Sequence, residues 1–335
     1  MLIAAFFVYF AFSGISFPSL VRDSLKANFC ILLATVGIVL LGQFIRALRW
    51  RAILQELKED ASTINAWGGI MVGYLTNNFF PQVGDVVRGY ITGRAEDVRV
   101  SGVFGTIVLE KLFDMISSGI LFGAALSLYN GELIRTFPFL RIAGVVLISG
   151  SLVIGGFLYA ASVSDKIQKR LFHLVAVILP ERFALRVDSI MLSFLASFAL
   201  LRSKKRVGTV SFYTALFWLV YMFTMYVPFF AFSFGTVYHL NLYDAFLLML
   251  VTSIAYTLPS PGGIGVYHLL VSQALMIISG IPRLEALAYA SLTFLFGYVA
   301  ITIVGSVFVF VFARKLKVRS LATLFKKDEE VAPGV

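Results

Sequence analysis

The chain has 335 residues, 59% of them hydrophobic and only 14% charged, against about 25% charged in soluble domains. That excludes a water-soluble globular domain and points to a polytopic membrane protein. The net charge of +10 does not imply nucleic acid, because no extended basic and aromatic platform is present and membrane proteins gather Lys and Arg in cytoplasmic loops.

Cys30 is the only cysteine, so neither an intramolecular disulfide nor a cysteine metal cluster is expected. The histidines His173, His239 and His268 are scattered, and no HExxH, Walker A or GxGxxG-then-acid pattern occurs. No metal, cofactor or catalytic residue set is therefore expected.

In chain order, residues 1–20 read as a first span, since MLIAAFFVYFAF lacks the basic n-region of a cleaved signal. A small loop with Arg22, Asp23 and Lys26 follows, then a second span over 28–48. Arg46, Arg49, Trp50 and Arg51 at its end read as an interfacial anchor. Residues 64–80 are apolar but stop at Pro81, and this segment reaches only roughly 25 Å, short of a ~30 Å hydrocarbon core. Residues 85–94 are too polar and too few to cross, so about 64–95 is expected to form a re-entrant hairpin.

Residues 101–128 give a span containing Glu110, Lys111 and Asp114. A fourth span covers 139–161, beyond a turn at Asn130-Gly-Glu132. Residues 164–206 are rich in Lys and Arg, and Phe183, Val187, Ile190, Phe194, Phe198 and Leu201 recur at helical spacing. This predicts an interfacial amphipathic helix over about 182–202. A fifth span covers 209–234. A second interrupted segment, about 244–280, breaks at Pro259-Ser-Pro-Gly-Gly-Ile-Gly265. The last span, 286–313, is stopped by Arg314, Lys315, Lys317 and Arg319, and 320–335 is a polar tail.

Placing 46–60, 84–100, 164–206 and 314–327 on one side collects 22 of the 28 basic residues. Both termini are then cytoplasmic, with the plasma (inner) membrane as the expected location. The expected fold is an all-α integral membrane domain over 1–319. It has six full spans and two re-entrant hairpins of opposite sense, the pattern of an inverted repeat.

The two breaks are the expected site. Helices restarting after Pro81-Gln-Val-Gly84 and after Gly262-Gly263-Ile-Gly265 present free N–H groups that suit a phosphate. Arg88 adds a cation one turn into the first, Arg49 another from the adjoining span, and Pro261 belongs to the second break. The bland alternatives stand beside these. Asp85 can cap its own helix and pair with Arg88 at i+3, Asn77 and Asn78 can simply join helices, and the Gly and Pro breaks can serve close packing. Glu110 and Asp114, at i and i+4, share one helix face, while Lys111 sits off it. The two carboxylates can bind a cationic part of a ligand, take protons, or only satisfy a buried cation such as Arg88. His268 is a site residue or a packed one.

NNFFPQVGDVVR, LEKLFD at 109–114 and PSPGGIGVYH at 259–268 resemble the flippase-like transmembrane region of lysylphosphatidylglycerol synthases, which also occurs in stand-alone form. The order and spacing of the motifs carry the resemblance over nearly the whole chain. It implies a role in moving lipid across the bilayer. Two departures stand out: His268 occupies a place where many members have an acid, and SLTFLFGY at 291–298 lacks their arginine. The stretch after Arg314 is too short for a soluble aminoacyltransferase domain, so aminoacyl transfer by this chain alone is not expected.

The leading expectation is a lipid translocase acting on an anionic phospholipid or a polyprenyl-phosphate-linked lipid, with membrane lipids as partners and no nucleic acid. The alternatives are an accessory that presents lipid to a lipid-modifying enzyme or glycosyltransferase, and an intramembrane lipid-phosphate enzyme using Glu110 and Asp114.

Overall fold

The computed structural model describes residues 2–128, 139–164, 166–167, 170 and 197–316, and among these every regular element is helical. The expected first span is broken into α1 (Leu2–Phe12) and α2 (Phe17–Ser24), which turn by 78°. The cause is local. Gly14 takes φ +75°, the Ser16 hydroxyl caps α2 by accepting the Ser19 N–H, and Pro18 sits in its first turn.

Helix α3 (Phe29–Leu54) starts at an Asn28 cap and runs on past the expected end at 48. Then follow α4 (Thr63–Phe79), α5 (Gly84–Glu96), α6 (Val100–Leu128) and α7 (Phe139–Val163). A 3-10 turn (Ser197–Arg202) leads into α8 (Lys204–Ala231), whose first turn is capped by Ser203. After α9 (Phe234–Val237), Asn241 and Asp244 form a capping box that starts α10 (Leu242–Ala255). The 3-10 turn Pro261–Gly263, α11 (Val266–Ser279) and α12 (Arg283–Lys315) complete the chain.

Among the described residues, four stretches are long and apolar enough to cross a bilayer: α3, α8, Pro261–Ser279 and α12. The bent α1–α2 pair makes five; four of these coincide with expected full spans, while Pro261–Ser279 falls within the segment expected to be re-entrant. Helices α6 and α7, with 29 and 25 residues, are long enough by length alone, but α6 carries Glu110, Lys111 and Asp114.

Two helix–break–helix units place the site. In the first, the contacts between α4 and α5 run in opposite order along the two helices. Asn65 Nδ2 donates to Glu96 Oε1 at 2.5 Å, Gly69 faces Thr92, Gly73 faces Arg88, and Gly84 N–H donates to Asn77 Oδ1 at 2.7 Å. The unit is an antiparallel hairpin. Gly84 has no room for a side chain, because a Cβ there would run into the Gly73 carbonyl and lie 2.7 Å from the Asn77 amide. In the second unit α10 packs on α11, with Leu248, Met249, Val271 and Leu275 in one buried cluster.

Helix α12, 33 residues and therefore ~50 Å long, passes both units. Its Tyr289 and Ala290 join the cluster around α8, α10 and α11, and its Phe308 and Phe312 join the cluster around α3, α4, α5 and α6. The site lies where these two cores approach each other. The amphipathic helix expected over 182–202 lies outside the described residues up to 196. Its last residues form the 3-10 turn, with Phe198 and Leu200 buried against Ile53, Leu109, Leu112 and Val210. The tail 320–335 also lies outside them.

Candidate functional site

A cavity of 410 Å³ opens between the two breaks. From the first unit it is lined by Asn77, Asn78, Pro81, Gly84, Asp85 and Arg88, and from the second by Gly262 and Gly263; Asp114 of α6 also reaches it. The break tips touch. Gln82 Nε2 donates to the Thr257 carbonyl at 3.4 Å, and Asn78 Nδ2 donates to Thr302 Oγ1 on α12 at 2.9 Å. Gly262 takes φ +56°, and a Cβ there would lie 2.7 Å from Asn78 Oδ1 and 2.8 Å from Tyr298. Only glycine fits both that backbone conformation and that gap.

A dense ion network forms the cavity's charged wall. Glu110, 0% exposed, receives Arg46 Nε, Arg49 Nη2 and Arg88 Nη1, each at 2.8 Å. Asp114 pairs with Arg49 Nη1 at 2.5 Å and Nη2 at 3.1 Å, and lies 3.9 Å from Arg46 Nη2. Asp85 holds Arg88 Nε at 2.9 Å and Lys111 Nζ at 2.5 Å. The Arg46 guanidinium also donates to the Tyr74 hydroxyl. Arg88 lies over the Trp50 ring with 4.8 Å to its centroid, a further stabilisation of a desolvated cation. Removing the central anion would leave three buried cations without compensation, which is why Glu110 anchors the wall.

The i+3 pairing of Asp85 with Arg88 and the use of Glu110 to satisfy Arg88 both follow the sequence expectation. Asp85 does not cap α5, whose start at Val83 has no side-chain cap. The anchor reading of Arg46, Arg49 and Trp50 is corrected. Because α3 continues to Leu54, Arg49 and Trp50 are fully buried inside the bundle and Arg46 lines the cavity. Lys111, expected off the carboxylate face, reaches Asp85 across the α5–α6 gap and lines the cavity mouth.

Other predicted residues sit off the cavity surface. Glu110 and Arg49 lie behind the wall as its supports. Pro261, Gly265 and His268 do not line the cavity. The turn through Gly262, Gly263 and Gly265, all at positive φ, leaves Tyr267 facing the cavity. His268 packs its ring against Phe294 at 4.7 Å and Phe12 of α1 at 5.5 Å.

Sequence reasoning missed Gln43, Arg46, Tyr74 and Lys111, and an aromatic wall of Tyr256, Tyr267, Phe294 and Tyr298. The first of these had a signal, since Gln43, Arg46 and Arg49 recur at i+3 and so share one face of α3. The aromatic wall had none, because it assembles from three separate elements.

Four buried polar atoms on lining residues have no hydrogen-bond partner: Arg88 Nη2, Gln43 Oε1, Ser260 Oγ, and Arg88 Nε, whose 2.9 Å approach to Asp85 is an ion pair without hydrogen-bond geometry. Such groups cost about 1–3 kcal/mol each when left unpaired. Among the described residues no group of His, Cys, Asp or Glu is placed to hold a metal ion. The wall offers donors to an anion.

A family model described as the lysylphosphatidylglycerol synthase TM region matches residues 1–305. No curated protein and no solved structure matches the chain. The matched range takes in both breaks, every member of the ion network and the aromatic wall. With its apolar helices and a match over most of its length, this integral membrane protein belongs to the lysylphosphatidylglycerol synthase transmembrane-region family, whose role is tied to membrane lipid.

Proposed function

We propose that the chain is a lipid translocase, of flippase or scramblase type, that holds the headgroup of an anionic phospholipid or a polyprenyl-phosphate-linked lipid between the two breaks. The observation that carries this is Arg88. It is 3% exposed, lines the cavity and keeps Nη2 without a partner, in a setting where an arginine is costly unless it has work to do.

The rim supports the same reading. The cavity-lining residues that stay exposed are Gln82, Lys111, Tyr256, Thr257 and Leu258, on the two break tips and α6. Beside them Phe79, Phe80, Val83 and Val86 are also exposed, as an opening toward lipid requires: the headgroup enters while the acyl chains stay in the bilayer. Helix α5, with 13 residues, reaches only ~20 Å, which favours a re-entrant first hairpin over two full spans. In this reading the hairpin enters from the cytoplasm, the second unit enters from outside, and both termini are cytoplasmic at the plasma membrane.

The test is movement of fluorescent anionic lipid in liposomes containing the purified chain. Wild type is expected to exceed protein-free liposomes, and Arg88→Ala to fall by about tenfold or more, the loss of a charged contact. No acceleration for any lipid class overturns the proposal. Orientation is checked in a Cys30→Ser background, where Lys205→Cys should label from the cytoplasm and Asn241→Cys from outside. The reverse pattern overturns the assigned sidedness.

A further inference from the structure

The two sides of the cavity differ in kind. All charged lining residues, Arg46, Asp85, Arg88, Lys111 and Asp114, stand on α3, α5 and α6. The side built by α10, the second break, α11 and α12 is uncharged and offers hydroxyls and rings, among them Ser260, Tyr256, Tyr267, Thr293 and Tyr298. Its rings run on from one another: Tyr256 to Tyr267 at 5.7 Å, Tyr267 to Phe294 at 5.5 Å and Phe294 to Tyr298 at 5.4 Å between centroids.

The charged side has no anion to spare. Asp85 already holds Arg88 and Lys111, Asp114 holds Arg49 and lies near Arg46, and Glu110 holds three arginines. Within this network the cations Arg46, Arg49, Arg88 and Lys111 outnumber the carboxylates Asp85, Glu110 and Asp114, leaving one formal positive charge. Lys111 and Arg88 share the Asp85 carboxylate, so a phosphate beside it meets both. One phosphodiester, with a single negative charge, neutralises the excess, whereas an ammonium would enter a network that is already cationic and finds no free carboxylate.

Beyond the phosphate, the unfilled hydrogen-bonding positions are neutral. Gln43 Oε1 is a buried acceptor, and Ser260 Oγ, on a residue 5% exposed, can donate or accept. A hydroxyl satisfies either, and tyrosine rings combine apolar faces with polar tips, as the C–H faces and hydroxyls of a polyol or sugar require.

Resting on the translocase reading, we infer that the headgroup taken here is a singly charged phosphodiester of an uncharged polyol or sugar, rather than an ammonium-bearing headgroup or a multiply charged phosphate. The phosphate lies at Arg88 and Lys111, and the hydroxyls lie toward Gln43, Ser260 and the tyrosine wall.

The experiment is binding, measured by native mass spectrometry of the full chain in neutral detergent. The lipids are of matched acyl chains, with glycerol, inositol, ethanolamine or choline phosphodiester headgroups, plus a phosphomonoester. The glycerol and inositol lipids are expected to bind about tenfold or more tighter than the ethanolamine, choline and phosphomonoester lipids. Ser260→Ala is expected to weaken the inositol lipid by about three- to tenfold, the loss of one hydrogen bond, and to leave the phosphomonoester unchanged. Equal or tighter binding of the ammonium lipids or the phosphomonoester overturns the inference, as does failure of every lipid to bind. Running the same lipids in the liposome assay separates the two claims. Selective binding without movement leaves this inference standing and removes the translocase reading. Movement without headgroup selectivity does the reverse.

Discussion

The first helix–break–helix unit is stiff and charged; the second is neutral and built on backbone freedom. Between α4 and α5 the break is short. It is locked from inside by Asn77 and Gly84, and from outside by Arg88 reaching Glu110 on α6. Between α10 and α11 the break is longer, runs from Tyr256 to Gly265, and is shaped by three glycines at positive φ and by ring contacts. The difference suggests a division of labour: one tip fixes a charge, and the other shapes what lies next to it. In a bilayer this arrangement is economical, since only one side of the cavity has to solvate buried ions.

Substitutions can break that comparison at graded strength. The largest effect belongs to Glu110→Gln, which removes the anion shared by Arg46, Arg49 and Arg88. It should lower stability by about 3–5 kcal/mol, read as a drop in thermal unfolding temperature in detergent and a loss of lipid movement. A wild-type unfolding temperature would show that the network does not hold the first unit together.

Next comes Gly84→Ala. Its Cβ meets backbone, the Gly73 carbonyl, as well as the Asn77 side chain, so the hairpin must spread, at a cost of roughly 1–3 kcal/mol. Gly262→Ala strains a left-handed residue by about 1–2 kcal/mol and pushes on Asn78 and Tyr298. It should keep the fold yet slow lipid movement, because it distorts the cavity rather than the network. The smallest effect is expected for His268→Phe, a swap within an aromatic cluster that costs under about 1.5 kcal/mol and leaves movement unchanged. If His268→Phe stopped movement while Gly84→Ala did not, the roles assigned to the two units would have to be exchanged.

The sequence made the first unit legible because its chemistry is out of place in an apolar chain. Asn77, Asn78, Gly84, Asp85 and Arg88 mark it, and all of them line the cavity. The ion network was half legible: Glu110 and Asp114 were placed together, but arginines and a tryptophan near a helix end look the same whether that end meets water or is carried inward. Only the continuation of α3 to Leu54 decides it. The break at Gly14 was open to reading in Ser16-Phe-Pro18, a cap followed by a first-turn proline, but the apolar run around it masked the signal. The position of His268 was not legible, since it depends on where the glycine turn aims α11 and on Phe12, far away in sequence.

The central claim is that the two breaks form one mouth. It is tested most directly by joining them. In a Cys30→Ser background, Gln82→Cys and Thr257→Cys place thiols at the tips where Gln82 already contacts the Thr257 carbonyl. The account predicts that a short reducible bifunctional thiol reagent joins the two cysteines in the membrane, that lipid movement falls to the protein-free level, and that reductant restores it. Full movement with the tips joined, or no cross-link between them, would contradict it.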